Sequence, residues 1–277
     1  TDNAVARFDA TTGKLLQNSG VLITDGNEVI ATGFTGTLDG VLGGGTPSSA
    51  SVTTLTVNGD ITTTTSGTSN FVAGVNAGNS IASGGNYNVA IGDEAGTAIT
   101  TGDSNTAVGY AALDANTTGA SNVAVGYSAL GASTTASNNT AVGYNAVDAC
   151  TTGTPNSGFG FNALGAVTTG VQNDAHGHGA GGAITTGNYN VAMGMNAGAT
   201  ATTVNNNTSI GAWANYAATA AGNTAIGAFV MDAASFSGAN NTAVGSGAAS
   251  AMTTGASNVA VGAAALDANT EGNSNVA

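Results

Sequence analysis

A five-residue motif, Asn88-Val89-Ala90-Ile91-Gly92, returns along this chain at a nearly constant distance. It comes back as Asn105-Thr106-Ala107-Val108-Gly109 and as Asn122-Val123-Ala124-Val125-Gly126. Copies begin near residues 70, 88, 105, 122, 139, 156, 173, 190, 207, 223, 241, 258 and 275. From Asn88 onward the steps are equal, except for one short step to Asn223 and one long step to Asn241, which cancel. A period of about 17 residues predicts a stacked repeat with one coil per copy.

Each position of the copy accepts only a few residue types, when the asparagine is counted as position one. From residue 88 onward, position three is Ala, Gly or Ser, position four is apolar in all copies but one, and position five is glycine. A short apolar segment bounded by turn residues indicates a strand, in which positions two and four share one face and position three points away. The glycine indicates a positive φ or a close backbone approach. We therefore predict two short strands and two turns per coil.

Identical residues of successive coils should stack, because neighbouring strands lie about 4.8 Å apart. We expect the asparagines to form a ladder and Tyr110, Tyr127, Tyr144 and Phe161 to form an aromatic column. The small residues at position three predict a surface that another chain approaches closely. The alanines expected at this interface are Ala90, Ala107, Ala124, Ala141, Ala192, Ala225, Ala243 and Ala260.

The composition and charge of the chain exclude several classes of function. The 277 residues include 44 glycines, and only 6% of residues are charged. The formal net charge is −13, and Arg7 and Lys14 are the two cations, so binding to the phosphates of nucleic acid is not expected. No segment is apolar and long enough for a membrane span, and no secretion signal is visible. Because Ala277 stops inside a copy, the natural chain is expected to continue. The lone Cys150 predicts no disulfide framework, although an interchain bond remains an alternative.

Residues 1–69 are predicted to form a β shaft or connector before the repeats of residues 70–277. Short apolar runs, among them Gly20-Val21-Leu22-Ile23, alternate with hairpin-turn sequences such as Thr24-Asp25-Gly26-Asn27. Two further strands are predicted, at residues 51–57 and 61–65, because their side chains alternate or are rich in threonine. The sequence therefore predicts an all-β chain without helices.

Three segments carry a resemblance to known families. The segment from Val5 to Gly20 resembles the amino-terminal shaft of tailed-phage fibre proteins, and the segment from Val41 to Val57 resembles a second part of those fibres. The repeat, as in Ser121-Asn122-Val123-Ala124-Val125-Gly126, is similar to the head repeat of trimeric autotransporter adhesins. That resemblance implies a left-handed parallel β-roll with three chains around one axis. The fold expected is therefore a homotrimeric fibre of parallel β-solenoids.

No constellation of residues indicates an enzyme. Asp114, Asp148, Asp232 and Asp267 share position ten, but they belong to turns of separate copies, and solvated turn aspartates are the simpler interpretation. Pairs of threonines at positions thirteen and fourteen resemble the ladders of ice-binding solenoids, although only one threonine of each pair is expected to face water. We predict no catalytic residue.

One copy contains both histidines of the chain, in Asn173-Asp174-Ala175-His176-Gly177-His178. Trimeric phage fibres and spikes sometimes hold an axial metal ion by a His-x-His pair from each chain, and His176 and His178 resemble that motif. With position three on the axis, however, these histidines should point into their own coil. The alternatives are therefore one transition metal per trimer or no cofactor, with two neutral imidazoles packed in the coil.

Two functions from different classes are consistent with the sequence. The first is a structural segment of a phage tail fibre, which assembles with itself and with other virion tail proteins and carries a downstream receptor-binding tip to the host surface. The second is a surface adhesin or extracellular filament of a cell. Four Asn-x-Thr triplets would suit a glycosylated filament, and they begin at Asn116, Asn138, Asn206 and Asn240.

Overall fold

The structure is a computed structural model in which residues 21–23, 29–31 and 65–277 are described. The chain divides into two units, residues 1–59 and 60–277. In the first unit, β1 (Val21–Ile23) pairs antiparallel with β2 (Val29–Ala31). The hairpin turn predicted at residues 24–27, the strand predicted at residues 51–57, most of the one at 61–65 and both segments that resemble phage fibres lie outside the described residues.

In the second unit, one short strand from each of the twelve copies that begin between residues 70 and 258 joins a single parallel sheet. The strands are β3 (Phe71–Ala73), β4 (Val89–Ile91), β5 (Thr106–Val108), β6 (Val123–Val125), β7 (Thr140–Val142), β8 (Asn156–Phe159), β9 (Asn173–His176), β10 (Val191–Met193), β11 (Thr208–Ile210), β12 (Thr224–Ile226), β13 (Thr242–Val244) and β14 (Val259–Val261). They lie side by side in chain order, and the described residues contain no helix. The predicted parallel β-solenoid, with one coil per copy of the repeat, is therefore confirmed.

Equivalent positions of successive copies stand directly beside one another in this sheet. Val108 pairs with Val125, and Val125 pairs with Val142. The short and the long copy preserve the same register, because Thr208 pairs with Thr224 and Thr224 with Thr242. The length differences are therefore absorbed in the turns and not in the sheet.

The glycine at position five is required for two reasons, and Gly126 shows both. Its φ is 137°, a conformation that side chains rarely adopt, and a β-carbon there would lie 2.3 Å from the carbonyl oxygen of Gly143. The equivalent glycine of every complete coil has a φ between 123° and 139°. Both of the alternatives that the sequence left open at this position, the positive φ and the close backbone approach, are confirmed.

The second strand predicted in each coil is absent from residues 65–277. In its place the chain makes tight turns in which positions seven and nine take the left-handed conformation, as Ala111 and Leu113 do with φ of 51° and 54°. Position seventeen, for example Ser104, is also left-handed. Alternating left-handed residues curl the backbone too tightly for a strand to extend. The prediction of two strands per coil was therefore wrong.

The alanine column at position three faces the inside of its own coil and not a second chain. Ala107, Ala124 and Ala141 have no exposed surface in the single chain. A β-carbon on Gly158, at the same position, would lie 2.6 Å from Cγ2 of Val147. The small side chains are needed because a core side chain of the preceding coil is this close. The predicted placement of eight alanines at a chain–chain interface is therefore corrected, because all eight are buried within the single chain. They are Ala90, Ala107, Ala124, Ala141, Ala192, Ala225, Ala243 and Ala260.

One large side chain fills the core of most coils, and it comes from either position nine or position twelve. Leu113 and Leu130 fill from position nine, where position twelve is Asn116 or Ser133. In other coils the order is reversed, with glycine at position nine and isoleucine at position twelve: Gly96 with Ile99, and Gly181 with Ile184. A β-carbon on Gly96 would lie 2.8 Å from Cδ1 of Ile99. In coils with glycine at position nine, the isoleucine at position twelve therefore occupies the space that a side chain at position nine would need. The coil with Leu164 and Val167 holds a large residue at both positions and is an exception.

The asparagines form a buried ladder along one edge of the sheet, as the sequence predicts. The side chain of Asn105 donates from Nδ2 to the carbonyl of Gly119, 2.9 Å away in its own coil. Its Oδ1 accepts the backbone N–H of Asn122 in the following coil at 3.0 Å. The same bonds recur along the repeat, so each amide closes its own coil and joins it to the next. Buried amides are stabilising here because they are satisfied.

Candidate functional site

The outer face of the twelve-stranded sheet runs along all the coils of the repeats. Positions two and four of each strand lie on it, and these side chains are half-buried or exposed in the single chain. The most exposed large apolar ones are Ile91, Val123, Met193, Ile226, Val259 and Val261. From β4 to β14, Asp174 and His176 are the only ionisable residues at these positions. The face is therefore a mostly uncharged strip of valine, threonine and isoleucine.

Beside this face runs the aromatic column at position six. Ring centroids are 5.3 Å apart between Tyr110 and Tyr127, and 4.9 Å apart between Tyr127 and Tyr144. Phe161 follows at 5.2 Å, and His178 extends the stack by a further 5.0 Å. The predicted column is confirmed, and His178 is its fifth member. Each of the four carbocyclic rings is about half exposed, but the rings cover one another's faces and present mainly their edges to solvent.

The histidines lie on the outside of the coil, and this differs from the expectation that they point inward. His176 stands at position four, where it stacks on Phe159 with centroids 4.6 Å apart. Its Nε2 lies 3.0 Å from Oδ1 of Asp174, and both side chains are 44% exposed. Positions four and six are outside because position three points inward. No group of three or more metal-ligating side chains lies close together within the described part of a single chain.

The aspartates at position ten lie in the turn regions of separate coils. Burial raises the pKa of Asp114 and Asp148 above their ordinary value of 3.8, and a coil that has Gly131 at this position separates them. Burial also raises the pKa of Asp232, which lies in a more distant coil. Asp267 is exposed. The interpretation of these residues as turn aspartates agrees with this placement.

Some of the other polar residues noted in the sequence form hydrogen bonds within or between coils, and the others are exposed. Cys150 is fully buried, burial raises the pKa of its thiol to about 11, and its Sγ donates to the carbonyl of Gly153. The hydroxyl of Thr117 donates to the carbonyl of Thr134 in the next coil at 3.0 Å, whereas Thr118 is exposed. Asn116 is buried and bonded to Gly119. The other three asparagines that begin Asn-x-Thr triplets are exposed at the last position of their copies: Asn138, Asn206 and Asn240.

Comparison with protein-family models, with curated proteins and with solved structures finds no match for this chain. In the described residues, no helix has the length and apolarity that crossing a bilayer requires. No relative therefore informs the role of the exposed sheet face, and its chemistry is inferred from its own residues. Its signal was present in the sequence as the apolar character of positions two and four, but the prediction had placed position three, and not these positions, against a partner chain.

Proposed function

We propose that this chain is a structural rod that assembles with two further copies of itself through the outer face of its sheet. The observation that carries the proposal is that the position two and position four side chains, mostly apolar residues and threonines, stay half-buried or exposed along the whole sheet. A soluble single chain seldom leaves a long apolar strip open to water. Association would remove this surface from water and leave the alanine core unchanged.

Copies of the same chain fit this face better than an unrelated partner does. Rotation about an axis parallel to the solenoid brings each coil to the height of the same coil in another chain, so every apolar row meets its equivalent. The face has little charge that would cause repulsion, because Asp174 and His176 pair with each other. Three chains, and not two, is the number implied by the resemblance to trimeric adhesins.

The experiment compares Val123→Asp with Thr118→Asp by light scattering. Val123 is 36% exposed at position two, where Asp174 shows that a coil accepts an aspartate. In a trimer the change puts three carboxylates at one level of the interface, so the measured mass should fall from three chains to one while the β-sheet circular dichroism remains. Thr118→Asp, on an exposed turn, should leave the three-chain mass unchanged. A three-chain mass for Val123→Asp would contradict the proposal.

The biological setting that we propose for the rod is the tail of a virion, where it would carry a receptor-binding tip toward a host surface and contact other tail proteins. The support is the resemblance of residues 5–20 and 41–57 to phage fibres, together with the repetitive sheet. A cell-surface adhesin or extracellular filament is the second candidate, favoured by the three exposed asparagines of the Asn-x-Thr triplets. Antibody against the chain should label tails of purified virions in the first case and the surface of cells in the second. We propose no catalytic activity.

A transition metal shared by the three chains is a further part of this proposal. His176 and His178 lie on the outside of the coil, so association through the sheet face would bring His176 of each chain toward the others. The imidazoles would be the ligands, and the metal would supply a cross-link between chains. Elemental analysis should find about one metal ion per three chains. The matched variants His176→Phe and His178→Phe keep the stacked rings, as Phe159 and Phe161 do, and should remove the metal; an equal metal content in the variants would exclude these ligands.

A further inference from the structure

The coils of residues 190–206 and 207–222 both lack a large apolar side chain at positions nine and twelve, and the first of them has only small residues there. In the coil of residues 190–206, position nine is Gly198 and position twelve is Ala201, so neither of the two positions supplies a filler. Elsewhere a β-carbon at position nine would collide with the filler, and on Gly181 it would lie 3.1 Å from Cδ1 of Ile184. On Gly198 it would meet nothing nearer than Oγ of Ser209, at 3.5 Å. The core is therefore under-filled at this level.

The space left there is a small cavity of about 10 Å³ whose walls include Ala192, Gly198, Ala201, Ser209 and Asn215. It lies where the buried apolar residues separate into two clusters, one that extends to Val204 and one that begins at Ala214. The backbone ladder of β10 and β11 continues past this level without a break. The interruption therefore concerns side-chain packing and not the sheet.

Two polar residues replace apolar ones on the wall of this cavity. Asn215 occupies position nine, where other coils have leucine, valine, methionine, alanine or glycine, and it is 1% exposed. Neither its Oδ1 nor its Nδ2 has a hydrogen-bond partner among the described residues. Ser209 takes the place of the usual alanine at position three and is 2% exposed. A buried amide with no partner is strongly unfavourable in an apolar core.

We propose that this cavity is a binding site for one water molecule, held between the side-chain amide of Asn215 and the hydroxyl of Ser209. The volume is about the minimum that one water needs, and a buried water requires two or more polar partners, which these two side chains supply. A larger or apolar ligand does not fit a space of this size and polarity. The three departures from the repeat, at Gly198 with Ala201, at Ser209 and at Asn215, are thereby explained together.

The direct test is a crystal structure of the full chain at a resolution that shows ordered water. The proposal expects a density peak within hydrogen-bonding distance of both Asn215 and Ser209, and it expects the peak to disappear in Ala201→Val, whose added methyl groups occupy the space. An empty cavity, or a repacked core in which Asn215 bonds to protein atoms alone, would overturn the proposal.

Thermal unfolding supplies an independent readout at one fixed protein concentration. Ala201→Val combined with Asn215→Ala should raise the unfolding midpoint by about 2–4 °C, because the added methyl groups fill the space and the buried amide that requires the water is removed with it. The matched control is Ala163→Val, the same alanine-to-valine change at a fully buried residue in a coil that already contains Leu164 and Val167; its midpoint should fall by about 2 °C or more through overpacking. A similar fall in both variants would show that the cavity does not exist in solution and would refute the site.

Discussion

The coils of residues 105–172 and the coil of residues 190–206 have the same backbone but differ in what fills it. Leu113, Leu130, Val147 and Leu164 occupy the core of the first group and are fully buried. Gly198 and Ala201 leave the second coil under-filled, yet its strand pairs in the same register as all the others. The difference teaches that backbone stacking determines the shape of the coil, whereas the large side chain contributes stability that one coil can forgo.

Glycine at position five should be equally indispensable in both regions. A β-carbon added at Gly126, in a filled coil, would lie 2.3 Å from the carbonyl oxygen of the position-five glycine in the next coil. The same distance holds for Gly211, next to the under-filled coil. We expect Gly126→Ala and Gly211→Ala each to lower the free energy of unfolding by about 4 kcal/mol or more, since the clash is with backbone and the φ is unfavourable as well. Urea denaturation at one protein concentration measures this loss.

Gly247 is the control that separates conformation from collision. Its φ is 66°, and no atom lies within 4 Å of a β-carbon there. Gly247→Ala should therefore cost only the backbone strain, about 1–2 kcal/mol. A much smaller loss at Gly211 than at Gly126 would mean that backbone stacking depends on core filling after all.

Truncation of the side chain at position nine should lower the free energy of unfolding by different amounts in the two regions. Leu130→Ala should cost about 2–5 kcal/mol, because a fully buried leucine leaves a cavity that Ser133 is too small to fill. Asn215 belongs to the following coil and forms part of the wall of the cavity left by the under-filled one. Asn215→Ala should change the free energy of unfolding by less than about 1 kcal/mol, since it removes neither a packed apolar group nor a hydrogen bond to protein. Denaturant midpoints of the two variants provide the comparison. Losses of equal size would contradict the distinction between filled and under-filled coils.

The competition between positions nine and twelve has its own test within the filled region. Leu130→Gly combined with Ser133→Ile reproduces the arrangement of Gly96 and Ile99 in another coil. The double variant should recover most of the stability that Leu130→Gly loses alone, because the space is filled from the other side. If the two losses simply add, as measured in urea, the positions do not share one space.

The smallest effect expected is the pH dependence that the half-buried aspartates of the filled region cause. Burial raises the pKa of Asp114 and Asp148 in the folded chain, so the folded state binds protons more tightly than the unfolded state. Stability should therefore fall as the pH rises from the ordinary pKa of 3.8 through the raised values.

Asp114→Asn tests this pH dependence. Because solvent screens a partly exposed carboxylate, the free energy of unfolding of this variant should rise by at most about 0.5 kcal/mol at neutral pH. It should not change in acid below the ordinary pKa. The opposite pH trend in urea titrations would contradict the burial argument.

The parts of the fold that repeat identically could be predicted from the sequence. The period of the repeat, the glycine at position five, the asparagine ladder and the column from Tyr110 to Phe161 are all confirmed. Each depends on one residue type that recurs at one position, so stacking alone determines its neighbours. The alternation rule also placed positions two and four correctly on a common face. It does not say which face is covered, and the core assignment was reversed for that reason.

What could not be predicted depends on the turns. Left-handed residues at positions seven and nine replace the expected second strand, and large residues such as Leu130 adopt that conformation because they fill the coil from there. A signal existed in the asparagines and glycines at position seven, for instance Asn145 and Gly179, since these residues tolerate a positive φ. In many copies a large residue at position nine accompanies a small or polar residue at position twelve, and the reverse. This relation is visible in the sequence only when the two positions are compared together in each copy.

The asparagine ladder has a direction, and this bears on how the rod is made. The side chain of Asn88 accepts the N–H of Asn105, and Asn105 accepts that of Asn122, so an earlier coil always holds an acceptor ready for the next one. A coil can thus be completed on its predecessor as the chain leaves the ribosome, since its contacts reach back by about one period. Removal of a whole period, such as residues 122–138, would join Asn139 to the same acceptor on Asn105. The length of the solenoid can therefore change by whole coils. Duplication or deletion of one period lengthens or shortens it while the packing of the core stays the same.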